Sequence, residues 1–251
     1  MSTFARRVIV ALDHPTREEA LGLLDQIAEH VDYVKIGHRL FTRYGPQILD
    51  DCVERGVRVF LDLKLYDIPS VVGDACRGIA EHPGVFMTTI HASGGAEMVY
   101  AAVEGARRAR SAASAGEATK VVAVTALTSF ASKELPHIGV GMSLTSWAAR
   151  LADTALTAGA HGVVCSPQEV VAFRETYGSE PILVTPGIRL EKVHIAGDDQ
   201  HRVDTPSRTL AMGSTYLVIG RPIYQAPDPL AVIRNVQETL DGGQNDREEE
   251  Q

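Results

Sequence analysis

Residues 60–70, FLDLKLYDIPS, begin like a buried strand and yet carry Asp62, Lys64 and Asp67. Two more charged residues sit in or after similar apolar runs, Asp13 following VIVAL and Lys35 inside YVKIG. Asp13, Lys35, Asp62 and Lys64 sum to zero charge, which is how a cluster of ions tolerates withdrawal from water. Acidic neighbours favour the ammonium form of a lysine. These residues by themselves do not name the reaction that such an ammonium serves. A Schiff-base lysine needs its neutral amine, which flanking acids oppose, so class I aldolase chemistry is disfavoured. A single charged residue at a strand end also serves as a salt bridge closing a rim, but several converging from neighbouring runs point to a site.

A second group lies in LVTPGIR and VIGRP. Gly187 and Gly220 permit close backbone approach, and Arg189 and Arg221 supply charge-assisted hydrogen bonds, a combination suited to a phosphate. His91 in HASGG is either catalytic or a packed, hydrogen-bonded side chain. Cys165 in VVCSP has no evident base nearby and reads as a small buried residue, and Trp147 reads as core. The nine histidines and many acids show no His-x-x-x-His or Asp-x-Asp-x-Asp spacing that would specify a metal. Cys52, Cys76 and Cys165 are widely separated and odd in number, which suggests neither a disulfide framework nor a zinc site.

These residues need a scaffold that gathers them. Runs rich in Val, Ile and Leu recur at 7–13, 33–37, 58–64, 86–92, 120–128, 162–166, 181–187 and 216–221, and helical periodicity fills the intervals. Strands alternating with crossover helices imply a parallel sheet, and eight such units in one chain favour an α/β fold of the closed (β/α)8 barrel type, a TIM barrel. An open doubly wound sheet is the alternative. A barrel places its active site at the C-terminal ends of the strands, where the charged residues fall, and its phosphate site in the loops after strands 7 and 8. Side chains alternate along a strand, so Phe60, Asp62 and Lys64 face the lumen while Leu61 and Leu63 face outward helices. The same parity makes Thr128, rather than Thr125, the inward polar residue of strand 5.

The 251 residues, 45% hydrophobic, suffice for one barrel-sized core, with no composition break dividing residues 1–240. Residues 241–251 carry five acids and one arginine, half the formal net charge of −8, and read as a solvated, disordered acidic tail. The remainder has no basic stripe, so no nucleic-acid surface is expected. No apolar run reaches the length of a membrane span or of a signal peptide, and the expected location is cytoplasmic.

FLDLKLYDIP closely resembles the signature of the orotidine 5'-phosphate decarboxylase family, whose members convert orotidylate to uridylate in pyrimidine synthesis. VIVALD, VKIGHRLFTRYGP, HASGG, AVTALTS, GVVCSPQE, LVTPGIR, GDDQHR and YLVIGRP follow in the family's order and at close to its spacing. The resemblance implies a homodimeric barrel, a carboxy-lyase of the bacterial type with no cofactor. It implies a Lys-Asp-Lys-Asp array of Lys35, Asp62, Lys64 and, from the partner subunit, Asp67. It further implies that Asp13 and Lys35 hold the ribose, that Thr128 meets the pyrimidine, and that Arg189, Gly220 and Arg221 bind the phosphate. Gln200 belongs to a loop closing over base and phosphate, and Ile68, beside Asp67, joins the substrate-binding set. Asp-x-Lys-x-x-Asp alone also occurs in the magnesium-dependent 3-keto-gulonate phosphate decarboxylases, which is one alternative; a non-catalytic nucleotide-binding barrel is another. One difference follows the motif: Ser70 and Val71 stand where the family commonly has Asn-Thr, and Val71 has no hydroxyl to offer a substrate.

Overall fold

The computed structural model of the chain describes residues 2–112, 118–190 and 203–248. Among them, eight parallel strands close into one barrel in chain order. They are β1 Val8–Ala11, β2 Tyr33–Gly37, β3 Arg58–Leu65, β4 Val85–His91, β5 Lys120–Val124, β6 Gly162–Val164, β7 Ile182–Thr185 and β8 Tyr216–Ile219. Closure is made by β8 against β1, with Ile219 opposite Val10. The expected (β/α)8 architecture is therefore the observed one.

A short α1, Thr3–Arg7, precedes β1. The crossovers carry α2 Arg17–Ile27, α3 His38–Tyr44, α4 Gln47–Glu54, α5 Pro69–Glu81, α6 Ala96–Ala112, α7 Leu144–Thr157, α8 Val170–Tyr177, α9 Pro206–Ala211 and α10 Arg221–Tyr224. Local chemistry starts several of them. The Thr16 hydroxyl accepts from the Glu19 amide ahead of α2, the Ser143 hydroxyl accepts from the Ser146 amide ahead of α7, and Pro69 occupies the first turn of α5. The last helix, α11, runs Pro229–Glu248 and so extends beyond residue 240, where sequence composition suggested an unstructured tail. No described helix is long and apolar enough to cross a membrane.

Two apolar layers lie between strands and helices, and a third fills the lumen. In the lumen Ile9, Phe60, Met87, Val122 and Val184 are buried. Below them Tyr33, Phe86 and Tyr216 pack ring against ring, with centroids 4.4 to 6.0 Å apart, and the Arg58 guanidinium lies over Phe86 at 5.3 Å. Tyr33 and Tyr216 open their strands and Phe86 is the second residue of its own, so this aromatic plug seals the N-terminal end. A cavity lies at the other end.

Several strands are shorter than the apolar runs that announced them. β5 ends at Val124 rather than at 128, because there the ladder to β6 runs out: the amide and hydroxyl of Thr125 both donate to the Val164 carbonyl, the last of β6. Thr128 is thus a loop residue, and strand parity was not the reason for its position.

Candidate active site

At the C-terminal end of the barrel is a cavity of about 660 Å³, within the size range of small-molecule sites. Asp13, Lys35, Asp62, Lys64, Thr128, Gly187, Arg189, Gly220 and Arg221 all line it. The residues singled out from six different stretches of sequence thus converge. Asp67 and Ile68 do not: both are exposed, outside the lining, and the Asp67 carboxylate accepts from the Ile68 amide at 2.7 Å. Gln200 lies outside the described residues.

The charges alternate in space as they do along the strands. Lys35 Nζ donates to Asp13 Oδ1 at 2.9 Å and stands 3.8 Å from Asp62 Oδ2, which accepts from Lys64 Nζ at 2.7 Å. Asp62 is 9% exposed. Burial acts to raise the pKa of its carboxyl, but Lys35, Lys64 and the hydrogen bonds from Lys64 and Thr89 outweigh that and hold it below the ordinary value. For Lys35 burial acts downward, while Asp13 and Asp62 prevail and hold the ammonium's pKa above its ordinary value. Removing either partner would leave a buried charge uncompensated, so each ion depends on its neighbours.

Lys64 reaches the cavity by an unusual route. Its φ is 49°, and it is the one non-glycine with positive φ among the described residues. That conformation costs an L-residue about 1–2 kcal/mol. It occurs where β3 slips against β4, whose pairing jumps from Leu61 opposite Thr88 to Leu65 opposite Ile90. Alternation holds through Leu61, packed in the outer layer, and Asp62 in the cavity, but Lys64 is aimed inward by a bulge as well as by parity.

Other residues complete the walls. His38 and Arg39, the first of α3, line the cavity, and Arg39 donates to the Asp13 carbonyl at 2.8 Å. Tyr224, at the end of α10, lines it too. Ala11, Phe60, Val164 and Val218 give it an apolar floor. A Cβ at Gly37 would sit 3.2 Å from Lys35 Nζ, close enough to push on the ammonium, and Gly187 suits its φ of 78°. Sequence reasoning passed over His38 and Arg39, which directly follow β2, and Tyr224, in the short helix after β8, the side of the strands on which a barrel builds its site. It also passed over Thr89, two residues before His91 and hence on the same face of β4. His91 itself lies outside the cavity lining, edge-on to Tyr66, with its pKa pushed down by burial and by Lys64. Cys165 is fully buried, as expected, and Trp147 packs against Phe130 in the outer layer.

Residues 6–236 match the model of the orotidine 5'-phosphate decarboxylase / HUMPS family. The chain belongs to that family. It is 44% identical over 231 residues to an orotidine 5'-phosphate decarboxylase of Neisseria meningitidis serogroup C, covering 91% of this chain and 90% of the relative. It is likewise 44% identical to an orotidine 5'-phosphate decarboxylase of Tolumonas auensis, with 93% and 98% covered. A crystal structure of orotidine 5'-phosphate decarboxylase from Lactobacillus acidophilus superposes with a TM-score of 0.81 at 33% identity, covering 94% of this chain and 99% of that one. The span matched to the orotidine 5'-phosphate decarboxylase / HUMPS family takes in every strand of the barrel and every cavity residue named above.

Proposed function

We infer that this chain is a carboxy-lyase of pyrimidine biosynthesis, decarboxylating orotidine 5'-monophosphate to uridine 5'-monophosphate, with Lys64 as the group that stabilises and protonates the carbon losing carbon dioxide. The observation that carries the assignment is the Lys35–Asp62–Lys64 array, centred on the buried Asp62 and facing the same cavity as Arg189 and Arg221.

Loss of carbon dioxide from orotidylate leaves an electron pair in the plane of the pyrimidine ring, out of conjugation with the ring carbonyls. Stabilisation must then come from outside the ring, and a fixed ammonium in a site of low polarity supplies it. The Lys64 N–H bond breaks as the new ring C–H bond forms, with the electron pair of the carbanion taking the proton. Asp62 keeps that ammonium aimed, and its negative charge next to the departing carboxylate disfavours the bound substrate relative to the transition state. Lys35 and Asp13 hold the ribose, Thr128 the pyrimidine, and Arg189, Gly220 and Arg221 the phosphate, where two guanidinium groups suit the charge. Gln200, outside the described residues, is read as a further substrate-binding residue.

Asp67 and Ile68 are read as acting on a second copy's site. In support, Tyr66, Ile68, Val71 and Tyr100 are large apolar side chains left 47 to 62% exposed in one chain, the kind of surface that association covers. The reading is a homodimer with shared sites, located in the cytoplasm, with no nucleic-acid or membrane partner. Its chemistry needs no cofactor: Asp13 and Asp62 are each already paired with an ammonium.

The test is uridylate formation from orotidylate in the presence of a metal chelator, with Lys64→Ala as the comparison. Full turnover under chelation, and a loss of at least about 1,000-fold in Lys64→Ala with uridylate binding retained, is the expected result. Activity that vanishes with chelation and returns with magnesium would favour the sugar-phosphate type of reaction.

A further inference from the structure

Thr89 lies on β4 beside the reacting pair and is completely buried. Its hydroxyl donates to Asp62 Oδ1 at 2.9 Å and accepts from the backbone amide of Lys64 at 2.8 Å. The other carboxylate oxygen, Oδ2, takes the Lys64 ammonium at 2.7 Å. A closed circuit results, running from the Lys64 side chain to the Asp62 carboxylate, on to the Thr89 hydroxyl, and back to the Lys64 main chain. The circuit sits where β3 slips against β4, so the Lys64 amide has a side-chain oxygen as its partner where a regular ladder would offer a carbonyl. It also sits at the residue with positive φ, a conformation that needs support from its surroundings.

We propose that Thr89 is a positioning residue for the decarboxylation: one hydroxyl fixes both the orientation of the Asp62 carboxylate and the left-handed backbone of Lys64, and so sets the aim of the ammonium at the reacting carbon. The proposal rests on the assignment of Lys64 and Asp62 as the reacting pair. A purely architectural hydroxyl would hold β3 to β4 and affect stability alone. A positioning hydroxyl affects the chemical step, because an ammonium misplaced by about 1 Å loses rate steeply while the substrate still binds. The hydroxyl does not touch the phosphate or ribose groups, so ground-state affinity should be nearly untouched.

The experiment compares Thr89→Val, Thr89→Ala and Thr89→Ser, measuring kcat and KM for orotidylate and the affinity for uridylate. Valine and alanine should lower kcat by about 10- to 100-fold. KM and uridylate affinity should stay within about threefold, the pattern of an interaction made in the transition state. Serine, which keeps the hydroxyl, should restore most of the rate. The serine and alanine variants differ by the hydroxyl alone and decide the matter if the valine variant does not fold. Wild-type kcat in the alanine variant, whatever its melting temperature, or a serine variant as slow as the alanine one, overturns the proposal. Lys64→Ala, assayed alongside, separates the two claims. If it still turns over, the assignment of the reacting pair fails; if it is inactive beside a fully active Thr89→Val, the role of Thr89 alone fails.

Discussion

Lys64 and Asp62, separated by a single residue on β3, meet at 2.7 Å between Nζ and Oδ2, although φ of Lys64 lies at 49°. The pair sits at the bulge, and Lys35 together with Lys64 holds the acid below its ordinary pKa.

That depression has a consequence for acid stability. A carboxyl whose folded pKa lies below its ordinary value of 3.8 stabilises the fold fully above that value, and the contribution disappears as pH falls through 3.8 toward the folded pKa. Each unit of depression contributes about 1.4 kcal/mol. Between about pH 5 and about pH 3, urea unfolding of the wild type should therefore lose more stability than unfolding of Asp62→Asn. Parallel curves for the two proteins would show that Asp62 is not held in its charged form by the array.

Arg189 and Arg221 should report on the phosphate end of the ligand. Alanine at either position should weaken uridylate binding by about 10- to 100-fold, the value of a hydrogen bond to a charged group. Uridine, which has no phosphate, should bind as it does to the wild type. Calorimetry with both ligands checks this, and an equal loss for both would place these arginines elsewhere on the substrate.

Shared sites make a distinct prediction about mixed subunits. Lys64→Ala and Asp67→Ala should each be nearly inactive alone. In a hybrid dimer one site receives both wild-type residues, so a statistical mixture should recover about a quarter of wild-type activity. An inactive mixture in which mass spectrometry confirms subunit exchange would mean that Asp67 does not act across the interface.

Much of this molecule was legible from one dimension. Alternating apolar runs and helical intervals are local properties, and eight of them in succession have few ways to bury their surfaces other than a closed barrel. The residue types at the run ends carried the chemistry, because Lys beside Asp and Arg beside Gly are expensive to bury without a use. What a strand's neighbour does to it is not local. The slip of β3 on β4, the left-handed Lys64, and Thr89 clasping both Asp62 and Lys64 depend on the register between strands whose paired residues lie about two dozen positions apart. The end of β5 at Val124 was likewise decided by where β6 stops, not by the apolar run through its own residues. His38, Arg39 and Tyr224 became cavity residues only once the chain had turned from strand into helix. Sequence by itself determined the barrel, the site's end of it, and the ions that occupy it. Tertiary structure alone decided how those ions are aimed, because aim is set by the pairing between strands.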